Sequence, residues 1–228
     1  MYWVTPRHLA GDDDALAERV GDTLVGLEWR MWPTARDTIL YVSPNGLCGA
    51  EWIRASYPFE LGGLPVAWQL SARLHADSAM PEWNAYFTAG VPHEALTDLL
   101  VAIDGYDKAD FGVEGPEMVL AALGAQGWAR DVDRPRAGAS DPGFSCTFSL
   151  ELLPPLVRDS DLRPDGVGWQ AWAEPVLGAP YLWCTSFSAS IPHGLVAAFA
   201  SSLASPVPVS RRTLPISAGG RLSIVRRG

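Results

Sequence analysis

The chain writes one phrase twice. WNAYFTAGVPHEALTDLLVAI begins at Trp83, and WCTSFSASIPHGLVAAFASSL begins at Trp183. In the first, Trp83, Ala85, Phe87 and Ala89 alternate with Asn84, Tyr86 and Thr88. In the second, Trp183, Thr185, Phe187 and Ala189 alternate with Cys184, Ser186 and Ser188. A period of two sends alternate side chains to opposite faces, so each phrase opens as a strand with one buried face. The period then changes. Pro92 and Pro192 suit the first turn of a helix, where proline forfeits no hydrogen bond. Leu96, Leu99, Leu100 and Ile103 follow at helical spacing, matched by Val196, Phe199, Ala200 and Leu203.

The likeness extends upstream. VAWQLSARL matches VGWQAWAEP, aligning Trp68 with Trp169 and Gln69 with Gln170; SPNGLCGAEWI matches SDPGFSCTFSL, aligning Gly46 with Gly143. Ser43-Pro44-Asn45-Gly46 is a turn signal. Before it lies a helical pattern of Leu16, Val20, Leu24 and Leu27, behind the capping run Asp12-Asp13-Asp14. The second copy offers Pro116, Val119, Leu120 and Leu123, ending near Gly127-Trp128. The expected fold is α+β: a tandem duplication of a helix, an antiparallel sheet of three or four strands and a helix, with the copies paired about a pseudo-twofold axis. The acidic, glycine-bearing stretch DGYDKADFGVEG separates the copies near residues 104–115, giving units of 1–105 and 106–204 and a tail of 205–228.

Composition bounds the partners. Hydrophobic residues make up 48% of the 228 positions and include ten tryptophans, enough to bury a core. The net charge of −9 opposes binding to phosphate chains. The charge is uneven: Arg211, Arg212, Arg221, Arg226 and Arg227 crowd a tail with no acidic residue, leaving −14 on the rest. Lys108 is the only lysine, which hints at a GC-rich genome. The N-terminus shows no leader pattern, and no segment nears the ~20 apolar residues of a membrane helix. Three cysteines without paired spacing read as reduced thiols of a cytoplasmic protein.

The stretch VTPRHLAG, the turn SPNG after a strand, the repeated W…W…[VI]-P-H-x-x-L and the ending ASPVPVSRR together resemble the actinobacterial DUF317 family, also called the SPDY domain, typical of streptomycetes and often present in two copies. The resemblance implies a duplicated domain of unknown function and supplies no catalytic residues. The turn that usually reads Ser-Pro-Asp is Ser-Pro-Asn here and Ser-Asp-Pro in the second copy, which weakens any argument for a functional aspartate there.

No familiar catalytic constellation appears. The chain lacks a phosphate-binding loop, a dinucleotide fingerprint and a zinc-protease motif. GLCGAEW fails as a papain-like site because Glu51 stands where the nucleophile belongs. His93 and His193 could share a ligand across the twofold; the plainer reading is a solvated residue in each helix's first turn. Nothing nearby completes a zinc site, and neither a metal nor any other cofactor is expected. His75 belongs to a loop. Arg7 and His8 either anchor a partner or tie the N-terminal segment to the body.

The outer sheet faces carry the sharper signal. If Trp68, Leu70 and Leu74 face the core, then Gln69, Ser71 and Arg73 face away, and alignment puts Trp172 on that outer side. Alternation adds Trp52, Arg54 and Tyr86. Aromatics beside arginine could grip a peptide or stack bases. Alternatively, the two outer faces pack on each other and hide these residues. The arginine tail could neutralise phosphates, dock on an acidic partner or lie over the acidic body, and Leu222–Val225 could add an edge strand. The leading expectation is a non-enzymatic duplicated binding module recognising a protein, with no membrane association and an open oligomeric state. The alternative is a single-stranded nucleic-acid binder, similar in layout to Whirly-like or PUR-like proteins. An uncharacterised enzyme is the third.

Overall fold

The computed structural model describes residues 1–11, 16–54, 59–106, 115–152, 167–218 and 220–225. After an N-terminal strand β1 (Tyr2–Thr5), the chain runs through helix α1 (Leu16–Gly26), strands β2 (Arg30–Pro33), β3 (Ile39–Val42), β4 (Cys48–Trp52), β5 (Glu60–Leu61), β6 (Leu64–Ala72) and β7 (Trp83–Thr88), and helix α2 (His93–Asp104). The succession then recurs: α3 (Glu117–Gly124), β8 (Ala129–Arg130), β9 (Gly138–Ser140), β10 (Cys146–Glu151), β11 (Gly168–Ala173), β12 (Trp183–Ser188) and α4 (His193–Leu203). Two short strands close the chain, β13 (Val209–Arg211) and β14 (Ser223–Val225). The fold is α+β with antiparallel pairing. Pro92 and Pro192 stand one position earlier than expected, immediately before their helices.

One sheet spans both copies in the order β2-β3-β4-β6-β7-β12-β11-β10-β9-β8, with β5 paired to β6. The copies meet edge to edge. Thr185 lies opposite Phe87, Ser186 opposite Tyr86 and Phe187 opposite Ala85. This corrects the expectation that the two outer faces stack. Each copy ends its strands on an edge with unpaired backbone groups, and pairing β7 with β12 satisfies both rows at once. The helices lie side by side in the order α1-α2-α4-α3.

The core fills the space between sheet and helices. Trp68, Trp83, Phe87, Trp169, Trp183 and Phe187 are buried there, as are the apolar stripes of α2 and α4. Phe87, Phe187 and Phe199 form a triangle of rings with centroids 5.4 to 5.6 Å apart, so the centre of the core belongs to both copies. Leu74 is exposed beyond the end of β6, contrary to its expected core position. Register also shifts one alignment. Ser43 and Asp141 each accept a hydrogen bond from the backbone N–H of the cysteine five residues on, so Cys48 matches Cys146, one residue off the glycine-based match.

The tail is built into the fold. Both β13 and β14 pair with β1 to make a three-stranded sheet, so the edge-strand reading of Leu222–Val225 holds for Ser223–Val225. No helix among the described residues is long and apolar enough to cross a membrane.

Candidate functional site

The outer face of the large sheet carries a smaller apolar cluster. Ile53, Leu61, Val66, Trp172 and Cys184 are buried in it, with Leu64, Tyr86 and Tyr181 packed around them. It exists because the strands here do not alternate cleanly: Trp172 and Cys184 point away from the helices yet are apolar. β5 and β6 form a two-residue hairpin at Gly62-Gly63, whose φ angles of +59° and +74° suit a turn that only glycine or asparagine adopts readily. The hairpin tip reaches across to the second copy. A Cβ at Gly62 would come within 2.7 Å of Cys184 Sγ and 2.8 Å of the Tyr181 ring.

Beside that contact opens a cleft of about 690 Å³. The first copy contributes Gly62, Gly63 and Leu64; the second contributes Trp172, Glu174 and the segment from Leu177 to Tyr181. The Trp172 and Tyr181 rings lie 6.4 Å apart at 60°. Glu174 is only 7% exposed, and its Oε2 accepts the Gly178 N–H at 2.8 Å. Burial against the Glu174 charge pushes the neighbouring Cys184 thiol far above its usual range, so it stays protonated. Leu177, by contrast, is 82% exposed at the mouth.

The aromatics expected on the outer face divide. Trp172 does face outward, but it is 8% exposed and forms part of the cleft wall. Tyr86 is half-buried on the same face, 5.0 Å from the Phe59 ring. Trp52 is a correction. It lies directly opposite Trp68 in the β4–β6 ladder, and directly opposed residues share a face, so Trp52 packs on the helix-side core. Arg54 lies past the end of β4, over the Trp52 ring at 5.3 Å and paired with Asp37 at 3.0 Å. Arg73 is exposed beyond β6, away from the cleft lining. Thus Trp52, Arg54, Arg73, Tyr86 and Trp172 do not make one surface.

The tail arginines do not form a common patch either. Arg211 is 3% exposed and grips Glu94 with two hydrogen bonds of 2.7 Å, while its Nε donates to the Ala10 carbonyl. Burial would raise the Glu94 carboxyl, but the hydrogen bonds and charge of Arg211, with His93 adding to them, hold it below the usual range. Arg221 donates to the Gly143 carbonyl at 2.9 Å. Arg212 is exposed, and Arg226 and Arg227 lie outside the described residues, as do Asp12, Asp13 and Asp14. Arg211, read from sequence as a phosphate contact, is a buried strut.

His93 and His193 do not face a common ligand. Ser202, near the end of α4, donates to Asp98 and to the Glu94 carbonyl in the first half of α2, so the helices run antiparallel and the imidazoles sit at opposite ends of the pair. His193 Nδ1 accepts the Trp169 indole N–H at 3.0 Å, and His93 Nε2 lies 3.5 Å from Glu94. No group of three or more metal-ligating side chains gathers among the described residues.

Sequence reasoning missed one polar cluster. His8 Nε2 lies 3.0 Å from Ser145 Oγ and 3.7 Å from Asp141 Oδ2. Asp141 Oδ1 also accepts the backbone N–H groups of Ser145 and Cys146, each at 2.6 Å. In a nucleophile relay the carboxylate holds the imidazole nitrogen remote from the serine. Here one nitrogen faces both, and all three side chains are buried. Burial, only partly opposed by Asp141, pushes His8 down to about 4, so it is neutral near pH 7. The His8 carbonyl accepts the Trp183 indole N–H at 2.8 Å. The cluster fastens VTPRHLAG to the second copy, as the anchoring reading of Arg7 and His8 proposed.

A family model matches the chain in two segments, residues 42–105 and 155–209, and describes SPDY, a domain of unknown function (DUF317). The chain belongs to the DUF317 family. No curated protein and no solved structure matches it. The two DUF317 segments fall one in each recurring succession, covering β4 to α2 and β11 to α4. Gly62, Gly63 and Leu64 of the cleft fall in the first segment; Trp172, Glu174 and Tyr181 fall in the second. The cleft thus lies where two DUF317 segments meet.

Proposed function

We propose that the chain is a non-enzymatic, duplicated binding module that recognises a protein partner through the cleft between Gly62-Gly63 and Tyr181. One observation carries the reading: an apolar cleft of about 690 Å³ whose walls come from both copies. That volume falls in the range of pockets that bury ligands, and apolar walls with few polar groups favour burying a partner's side chains. Duplication acquires a purpose in this reading, since the second copy alone lacks the wall made by Gly62, Gly63 and Leu64. The copies are related by a pseudo-twofold axis between Tyr86 and Ser186. Its support is the register, because Ala85 opposite Phe187 and Phe87 opposite Thr185 exchange under the hundred-residue offset of the repeat. Three free thiols support a cytoplasmic setting, and the resemblance with arginine-for-lysine usage supports an actinobacterial one.

Capture from a nuclease-treated native-host lysate tests the reading, with wild type compared against Leu177→Arg and Gly63→Asn. Both substitutions alter the cleft at positions where added atoms meet solvent or open space. A protein retained by wild type and lost from Leu177→Arg is the expected result. Equal retention by all three, or loss of the partner on nuclease treatment, would overturn it.

A further inference from the structure

We infer that the cleft accepts a cationic side chain, an arginine of the partner protein, between the Trp172 and Tyr181 rings and the Glu174 carboxylate; this rests on the cleft being a protein-binding site. Glu174 carries the argument. It is 7% exposed, and its Oε1 still reaches solvent, so the cleft presents an open acceptor that a cation can take. Among the described residues, Oε2 has the Gly178 N–H, while no hydrogen bond reaches Oε1 and no basic side chain pairs with the residue. Nor does any basic residue line the cleft among the described residues.

The rest of the wall fits a guanidinium better than an ammonium. The partly exposed Tyr181 ring, backed by Trp172 at 60°, offers a surface on which a planar cation stacks, and the carboxylate offers an acceptor at the end of it. Leu64 and Leu177 provide apolar surface for the methylenes of the side chain. The volume of about 690 Å³ leaves room for residues flanking the arginine. A net charge of −9 favours approach of a basic partner. The same charge, with no basic side chain among the described lining residues, disfavours a phosphate group in this cleft.

The test uses the full chain labelled at its indole nitrogens. The Trp172 N–H resonance is assigned by Trp172→Phe, and the chain is titrated with five-residue peptides differing only at the central position: arginine, lysine, citrulline or leucine. The arginine peptide should shift the Trp172 signal saturably, lysine more weakly, and citrulline, which keeps the shape without the charge, not at all. Glu174→Gln retains an acceptor for Gly178 and should fold, yet it should weaken arginine binding about 30-fold or more. Gly63→Asn, tolerated at positive φ, should weaken binding by narrowing the mouth. Equal binding of citrulline and arginine, or an unchanged affinity in Glu174→Gln, overturns the cationic inference. Saturable shifts with the leucine peptide alone overturn it while keeping the cleft as a binding site. No shift with any peptide up to about 10 mM, a concentration that detects even weak short-peptide binding, overturns both.

Discussion

His8 shows what one buried side chain does here. Its folded pKa of about 4 lies below the ordinary 6.5, so the unfolded chain takes up its proton first as pH falls. Stability from keeping His8 neutral is therefore complete above about pH 6.5 and drains away between there and pH 4, by on the order of 3 kcal/mol. Urea unfolding of wild type and His8→Gln at pH 7 and pH 4.5 checks this, since the variant should lack that part of the pH dependence. Arg211 makes the opposite kind of contribution. Removing it strands Glu94 as a half-buried charge and leaves the Ala10 carbonyl without its donor, so Arg211→Ala should cost roughly 3–5 kcal/mol by urea midpoint. Trp183→Ala should cost more than Trp83→Ala, itself about 3–5 kcal/mol, because Trp183 also loses its bond to the His8 carbonyl. His8, Arg211 and Trp183 all stood out in the sequence, but the pairings that join them to groups 117 to 201 positions away did not.

Among the elements, the hairpin joining β5 and β6 matters most for the cleft. Its Gly-Gly between two leucines is a readable turn signal, but nothing local tells that its tip presses on Cys184 and Tyr181. Gly62→Ala should therefore be destabilising by about 1–3 kcal/mol, through positive φ and through collision with the Cys184 sulfur. Thermal melts of Gly62→Ala beside Gly63→Asn separate the contributions, because a Cβ at Gly63 meets nothing within 4 Å. The tail is a second case. Five arginines without acids left phosphate contact, an acidic partner and packing on the body all open; β13 and β14 flank β1 and Arg211 is buried. Backbone pairing, available to almost any sequence of moderate β-propensity, decided this, and charge composition carries little information about it.

At the scale of the molecule the two copies share one sheet and one aromatic centre. Phe87, Phe199 and Phe187 touch across the junction, and the β7 and β12 edges satisfy each other. Residues 1–105 or 106–228 expressed alone should therefore expose an edge strand and an open core. Each half is expected to be largely unfolded or self-associated, and mixing the two should restore a stoichiometric complex on size-exclusion chromatography. Two independently folded monomeric halves with sharp melts would show that the shared core is dispensable.

The strand-to-helix switch after Trp83 and Trp183, the apolar stripes of α2 and α4 and the doubling of the unit were legible because periodicity records which face of an element is buried. The resemblance to the DUF317 family was legible for a related reason: the phrases that carry it fall on a turn, Ser43 to Gly46, and on buried positions such as Trp83 and Trp183 of this chain. What periodicity cannot record is which edge meets which. The same two one-sided sheets could stack face to face or join at their rims, and only long-range pairing of β7 with β12 selected the second. That choice sent Trp172 into a cleft wall and Arg211 under the N-terminal segment, while the β4–β6 register turned Trp52 toward the helices. The cleft itself, with Glu174 set beside Gly62 and Gly63, arises from residues more than one hundred positions apart, brought together by tertiary structure alone.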